Sequence, residues 1–270
     1  MELKKYIFNL SLTIPSIMLI SLIIIPLLSL YMTVDYKVFT RIIFIKEVLS
    51  AIFTTVLAAT VATLILSILG FPLAYILARM KFKGKGLVEA IVDLPLAVPH
   101  VIVGIMLLLT FQTPTSPLAS LVKKLGLRLV DSFLGIVAAM IYVSSPIMID
   151  LLKEGIKSID PILEGVSRSF GADMVSTFFR VTLPLSIRYL IAGALLSWAR
   201  AVSEVGSLLI LAYYPKTVNI LLIEWFHAYG LTYATALAAL FLLLCIVCFI
   251  ALRIIQKEGV LRRRCLIPWR

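Results

Sequence analysis

Charge is scarce in this chain. Asp, Glu, Lys and Arg make up 14% of its 270 residues, where ordinary soluble domains carry about 25%. Three cysteines, Cys245, Cys248 and Cys265, are too few for a disulfide framework. Cys245 and Cys248 stand three apart with no second pair and no histidine beside them, which argues for packing and against a metal site. Only two histidines are present, His100 and His227. That leaves no nucleophile–base or metal-ligand set for a membrane-embedded enzyme. No G-x-x-x-x-G-K-[ST] run occurs, so the chain lacks a phosphate-cradling loop of its own. Any ATP chemistry would belong to another polypeptide.

Apolar residues are what the chain does have, at 61%. They come in blocks longer than the roughly 18 residues that cross a bilayer as helix. Six blocks stand out, at about 7–31, 48–80, 87–111, 132–152, 187–214 and 232–255. Strands of a barrel would instead show alternating ten-residue segments. The expected fold is an all-α integral membrane protein, a single transmembrane domain over 1–270 built as a six-helix bundle. Lipid is therefore one partner. The first block follows Lys4 and Lys5, but it is long and no small-x-small cleavage site closes it, so it reads as a retained anchor.

The net charge of +11 follows the topology. With the N-terminus cytoplasmic, the inside segments hold 17 Lys and Arg and the outside segments hold 7. This is the positive-inside pattern, and it removes the need for a nucleic-acid partner. Both termini are expected in the cytoplasm of a multi-pass cell-membrane protein. A contact with the lipid surface is the default for the basic end, Arg262, Arg263, Arg264 and Arg270.

Several features mark irregular backbone. Gly70-Phe71-Pro72 predicts a bend in the second span. The third carries Pro95 and Pro99, and broken backbone at membrane depth survives only against protein or a water-filled cavity. Glu89 and Asp93 either cap the start of that span or face the bundle interior with the prolines. His100 reads as a hydrogen-bonded structural residue. Outside, Ser116-Pro117 reads as a helix start and Gly126 as its end. Leu221, Leu222, Trp225 and Phe226 form an amphipathic face with Trp225 as interface anchor. Such pieces serve either interfacial packing or an external docking partner.

The loop 153–186 predicts two short helices. Asp160-Pro161 supplies an N-cap and a first-turn proline, and Gly171 a C-terminal turn. Ile162, Leu163, Val166 and Phe170 share a face, while Glu164 and Arg168 are spaced to pair. Asp173 caps a second piece, Met174 to Leu183, before Pro184 interrupts the path into the fifth span. Helices this short need a partner to bury their face.

Glu164, Gly171, Val181, Leu183 and Pro184 resemble the E-A-A-x-x-x-G-x9-I-x-L-P signature of ABC importer membrane subunits, with Gly165 and Val166 in place of the paired alanines. The resemblance implies an ATPase-coupling loop containing Asp160, Pro161, Glu164, Gly165, Arg168, Gly171, Ala172, Asp173, Val181, Leu183 and Pro184. It also implies a second copy of the chain, two cytoplasmic ATP-binding subunits that hold ATP and Mg, and an external substrate-binding protein. No cofactor or metal is expected on this chain, and no catalytic residue.

In the fifth span Ser197, Arg200, Glu204 and Ser207 fall on one stripe. A midspan arginine is costly and usually faces the bundle interior or a cavity. Arg200 and Glu204 are expected to pair, in a structural role or along the pathway. With Ser203, Pro95 and Pro99 they complete the pathway or bundle-interior candidates. The run 199–217 is similar to the fifth span of molybdate and tungstate permeases, with sulfate permeases related. A secondary transporter would show paired inverted repeats, and no convincing repeat is present.

Overall fold

The computed structural model describes residues 2–264, with side chains given for 9–251, 253 and 254. Lys4, Lys5 and the basic end, with Cys265, fall outside these side chains. Along the chain, α1 is Glu2–Thr33, α2 Tyr36–Ile42, α3 Lys46–Arg79, α4 Lys85–Ala97, α5 His100–Gln112, α6 Pro117–Lys124 and α7 Phe133–Lys157. The series continues with α8 Pro161–Ser169, α9 Met174–Thr177, a π-helical turn Phe178–Thr182, α10 Leu183–Val202, α11 Leu208–Leu211, α12 Val218–Tyr229 and α13 Leu231–Arg264.

α3, α7 and α10 pack against one another at the centre. Small residues permit this: Ala51, Ala58, Ala59 and Ala62 of α3 are buried, so helix backbones approach closely. Two apolar cores result. The larger joins the first half of α3 to the start of α7, to Trp198, Ala201 and Val202 of α10, and to α11, α12 and α13. The smaller joins Leu66, Phe71, Ala74 and Leu77 of α3 to Met148, Ile149, Leu152 and Ile156 of α7. α1 stands at the edge and touches α13, where Tyr31 donates to the Ala239 carbonyl at 3.2 Å.

α3 runs through Gly70-Phe71-Pro72 as one continuous helix. Its 34 residues span about 51 Å at 1.5 Å per residue, well beyond a hydrocarbon core of about 30 Å. Gly70 packs against α7, where a β-carbon would lie 3.4 Å from Met148 Cγ.

The third expected span, 87–111, is not one helix. α4 and α5 meet at a bend of 116°. Val98 is extended, as the residue before a proline prefers, and Pro99 has no amide to continue the α4 ladder. The fifth, 187–214, is also interrupted, because the helix stops at Val202 and only α11 follows it. The stripe of Ser197, Arg200, Glu204 and Ser207 therefore does not lie on a single helix. Asn219 of α12 compensates for the break by donating to the Val202 and Glu204 carbonyls, each at 2.9 Å.

Trp225, expected at an interface, is instead 5% exposed and stacks edge-on against Tyr229 and Tyr233. Val218, Ile220 and Leu221 are buried with it, so α12 is anchored in the larger core. At α6, Ser116 occupies the N-cap position without a side-chain cap bond, Pro117 begins the helix, and Gly126 turns with φ of 66°.

Candidate functional site

Two constructions stand out, an elbow between α7 and α10 and a polar junction where the two broken helices meet.

The elbow begins where Asp160 Oδ1 accepts from the Ile162 amide at 2.9 Å and Pro161 opens α8. α8 closes at Gly171, whose φ of 87° suits a residue without a side chain. The Gly171 amide returns to the Arg168 carbonyl at 2.9 Å and that of Ala172 to the Ser167 carbonyl at 3.2 Å. Asp173 then caps α9, accepting from the Ser176 amide at 2.8 Å. Hydrogen bonds from the Ser176 hydroxyl and amide hold the Asp173 carboxyl below its ordinary range. Pro184 does not interrupt the path. The π-helical turn carries α9 into α10, and Pro184 falls in the first turn of α10, where a missing amide is tolerated. Val181 and Leu183 are half-buried, and Leu183 packs on the smaller core.

The apolar face of the elbow has no cover. Phe170 is 88% exposed, and Ile162, Leu163, Val166, Met174 and Val175 are exposed beside it. A contiguous exposed apolar patch of this kind marks an interaction surface.

Glu164 behaves differently from expectation. It does not pair with Arg168, whose Nε instead donates to the Glu164 backbone carbonyl at 3.3 Å. Its side chain turns inward, leaving the residue 6% exposed. There Arg79, the last residue of α3, donates to Glu164 Oε1 through Nε at 3.1 Å, and its Nη2 stands 3.0 Å from the same oxygen as an ion pair. Thr182 donates to the same oxygen at 2.9 Å. Register explains the difference and corrects the expected match: counted back from Gly171, the signature glutamate position falls on Gly165 and the paired alanines on Val166 and Ser167, so Glu164 stands one residue early. One residue is about 100° of helix rotation, enough to exchange an outward for an inward direction. Arg79 and Thr182 were not legible as site residues, since Arg79 reads as one more basic residue closing an apolar run.

At the polar junction Glu204 is 1% exposed. Its Oε1 accepts from the Ser207 amide at 2.9 Å and the Ser207 hydroxyl at 2.8 Å, and its Oε2 receives Arg200 Nη2 at 3.0 Å. Arg200 Nη1 donates to Ser203 Oγ at 3.2 Å, and Nη2 lies 2.7 Å from His100 Nε2. His100 Nδ1 is 3.4 Å from Glu204 Oε2. The expected pairing of Arg200 with Glu204 is formed, and His100 joins it from the start of α5. Pro99 precedes His100 at the bend, whereas Pro95 is buried within α4 and Ser197 bonds to the Ser144 carbonyl of α7 at 3.3 Å. Close packing holds the junction, since a β-carbon on Gly104 would stand 2.7 Å from the Ser207 carbonyl oxygen. Gly206 lies in the run 199–217 with Arg200 and Glu204, whereas Asn219 carries no sequence signal that links it to this site.

Glu89 and Asp93 lie within α4, past its first turn, and Glu89 reaches Lys153 of α7 at 3.7 Å. At the far end of the bundle Lys216 bridges Glu47 at 2.8 Å and Glu224 at 2.6 Å. Burial pulls the Lys216 ammonium down, but hydrogen bonds to Glu224 and Glu47 outweigh it and raise its pKa well above the ordinary lysine value.

Long apolar helices, two of them broken against each other, with an uncovered elbow between packed helices, define a multi-pass membrane protein of the transport-permease class. The chain belongs to the family described as the binding-protein-dependent transport system inner membrane component, whose model matches residues 70–258. It is 39% identical over 243 residues to a molybdate/tungstate transport system permease protein of Pyrococcus furiosus, covering 89% of this chain and 92% of that one. A probable sulfate transport system permease protein of Zygnema circumcarinatum is 33% identical over 200 residues, 73% of this chain and 69% of that one. The fold resembles a subunit of a bacterial ABC transporter involved in the import of the acidic polysaccharide alginate, with TM-score 0.74 and 18% identity over 95% of this chain and 97% of that one. The chain is thus a membrane-spanning permease subunit of an ABC importer, a family in which ATP hydrolysis lies in a separate subunit.

Proposed function

We propose that the chain forms the translocation pathway for a tetrahedral oxyanion, tungstate or molybdate, as a homodimer. Two ATP-binding subunits sit on its cytoplasmic side and an external binding protein delivers the ion. Both termini and the 153–186 loop face the cytoplasm in this reading, and the whole chain is one transmembrane domain. ATP-driven closure of the partner subunits draws the two elbows together and turns the spans outward, and hydrolysis returns them. The permease is then a two-state element biased from both faces.

The elbow is the observation that supports this reading most. It presents a bare apolar face, while its ends are fixed by caps and by Glu164. Its composition calls for a polypeptide with an apolar cleft. The cargo assignment rests on the greater similarity to the molybdate/tungstate relative than to the sulfate relative. Arg200 and Ser203, with His100 and Pro99, are the candidate pathway lining, and the buried Glu204 and Ser207 hold them from behind. Pro95 and Ser197 support it from within the bundle.

Reconstitution in proteoliposomes tests the proposal. Uptake of labelled tungstate is expected only when the ATP-binding subunits, ATP and the binding protein are all present. Excess molybdate should compete and equimolar sulfate should not. Glu164→Ala or Gly171→Pro should abolish this uptake while the protein still inserts. Uptake without the ATPase subunits would sink the coupling reading, and equal competition by sulfate would sink the cargo assignment.

A further inference from the structure

The buried end of Glu164 gathers four pieces of chain at one point. Arg79 closes α3, Ile159 precedes the elbow, Glu164 belongs to α8, and Thr182 ends the π-helical turn that leads into α10. Arg79 binds two of the other three directly: Nε and Nη2 reach Glu164 Oε1, and Nη2 also donates to the Ile159 carbonyl at 2.9 Å. Thr182 completes the set through the same carboxylate oxygen at 2.9 Å. Both charged side chains are largely removed from water, with exposures of 13% for Arg79 and 8% for Glu164. Charge-assisted bonds are at their strongest in such surroundings.

α8 has little else to hold it to the bundle. Its apolar side chains are exposed, and its main packing is with α9 and the π-helical turn. A displacement of the elbow would therefore reach α3 through the Arg79 guanidinium and α10 through Thr182. α3 and α10 both pack on α7, so this point commands the central helices.

We propose that Arg79 is the positioning residue that transmits elbow movement to α3, converting nucleotide-driven motion into rearrangement of the pathway. This inference rests on the coupling role proposed above. It gives Glu164 an internal task, which its inward register already requires, and leaves docking to the apolar face. A lysine would keep the charge but is a single point donor. It would not reproduce the guanidinium fork that serves a carboxylate and a carbonyl together.

The test uses the full complex in proteoliposomes, with stimulated ATP hydrolysis and tungstate uptake measured in the same preparation. Arg79→Gln should co-purify with the ATP-binding subunits and keep hydrolysis stimulated by the binding protein. Its uptake per ATP should fall by about 5–150-fold, the span of ordinary coupling free energies. Arg79→Lys should lie between it and the unaltered protein. An unchanged ratio of uptake to hydrolysis in both variants would overturn the proposal, as would loss of ATPase binding in Arg79→Gln. If Arg79→Gln fails to insert, Arg79→Lys decides alone: a lowered ratio supports transmission and a full ratio overturns it. Failure of the unaltered chain to bind ATPase subunits would instead refute the coupling role itself.

Discussion

Gly206 faces His100 with no room for a side chain between them, since a β-carbon on Gly206 would stand 2.7 Å from His100 Cβ. The two broken helices are therefore interlocked backbone against backbone, with Gly104 making the reciprocal approach to Ser207. Gly206→Ala and Gly104→Ala should each cost about 1–3 kcal/mol, the usual penalty for overpacking. Gly104→Ala should be the worse, because its neighbour is a backbone oxygen and not a side chain. Thermal unfolding in detergent measures both, and a Tm unchanged in both variants would show that the interlock is looser than the distances imply.

The Arg200–Glu204 pair should behave asymmetrically. Glu204 is fully enclosed, so Arg200→Gln leaves an uncompensated buried carboxylate, at a cost of about 3–5 kcal/mol. Arg200→Gln combined with Glu204→Gln removes both charges and should recover part of that loss. A double-mutant cycle on unfolding free energy reads the difference directly. Simple addition of the two single effects would mean that the pair is not coupled.

Much of this architecture was readable from residue order, and the misses have a common cause. Apolar runs located the spans because bilayer thickness sets a length. Asp160-Pro161, Gly171 and Asp173 located the elbow because helix termini need particular donors, acceptors and φ values. What hydropathy did not carry was continuity. Leu208 to Leu211 is as apolar as any span, yet the helix has already ended at Val202, where Glu204 and Asn219 satisfy the freed backbone from within the bundle. At Glu164 the register could be counted, since the signature glutamate position falls one residue later on Gly165, but nothing in the sequence named Arg79 as the partner of the buried carboxylate. The break after Val202 and the Arg79 partner are tertiary facts, decided by which neighbour is polar.

The two glycines of the elbow should respond in opposite ways. Gly165 lies within α8, and a β-carbon there meets nothing within 4 Å. Gly165→Ala should therefore strengthen α8 by up to about 1 kcal/mol, the ordinary difference in helix propensity. Gly171 has φ of 87°, which proline's ring forbids, so Gly171→Pro should unravel the turn. Amide exchange across α8 should slow in the first variant and quicken in the second. Similar exchange in both would show that neither glycine governs the elbow.

Asp173 gives the start of α9 an acid-sensitive cap. Its carboxyl is held below the ordinary range by hydrogen bonds from Ser176, so the folded pKa is depressed. Capping stability is then complete above the unfolded value, about 3.9, and is lost as pH falls through the folded value. Protection of the Ser176 amide should be flat from neutral pH down to about 4 and should decline below it. Asp173→Asn keeps a good cap without a titrating group and should abolish that decline. A decline that persists in Asp173→Asn would place the acid sensitivity elsewhere.

Lys216 should hold α12 to the start of α3 across the whole physiological range. Its folded pKa is raised, so its contribution is fully present below the unfolded value of about 10.4 and is lost only as pH climbs through the folded one. Glu47 and Glu224 are each more than one-third exposed, which weakens the bridge to about 1 kcal/mol. Removing the ammonium does more than delete two contacts, because Glu47 and Glu224 then face each other as like charges. Lys216→Met should therefore destabilise more than Glu47→Gln, which leaves the bridge to Glu224 intact, and added salt should narrow the gap by screening the repulsion. Limited proteolysis of the 213–217 segment in low and high salt provides the reading. Equal cleavage of the two variants at low salt would show that the bridge does not restrain this end of α12.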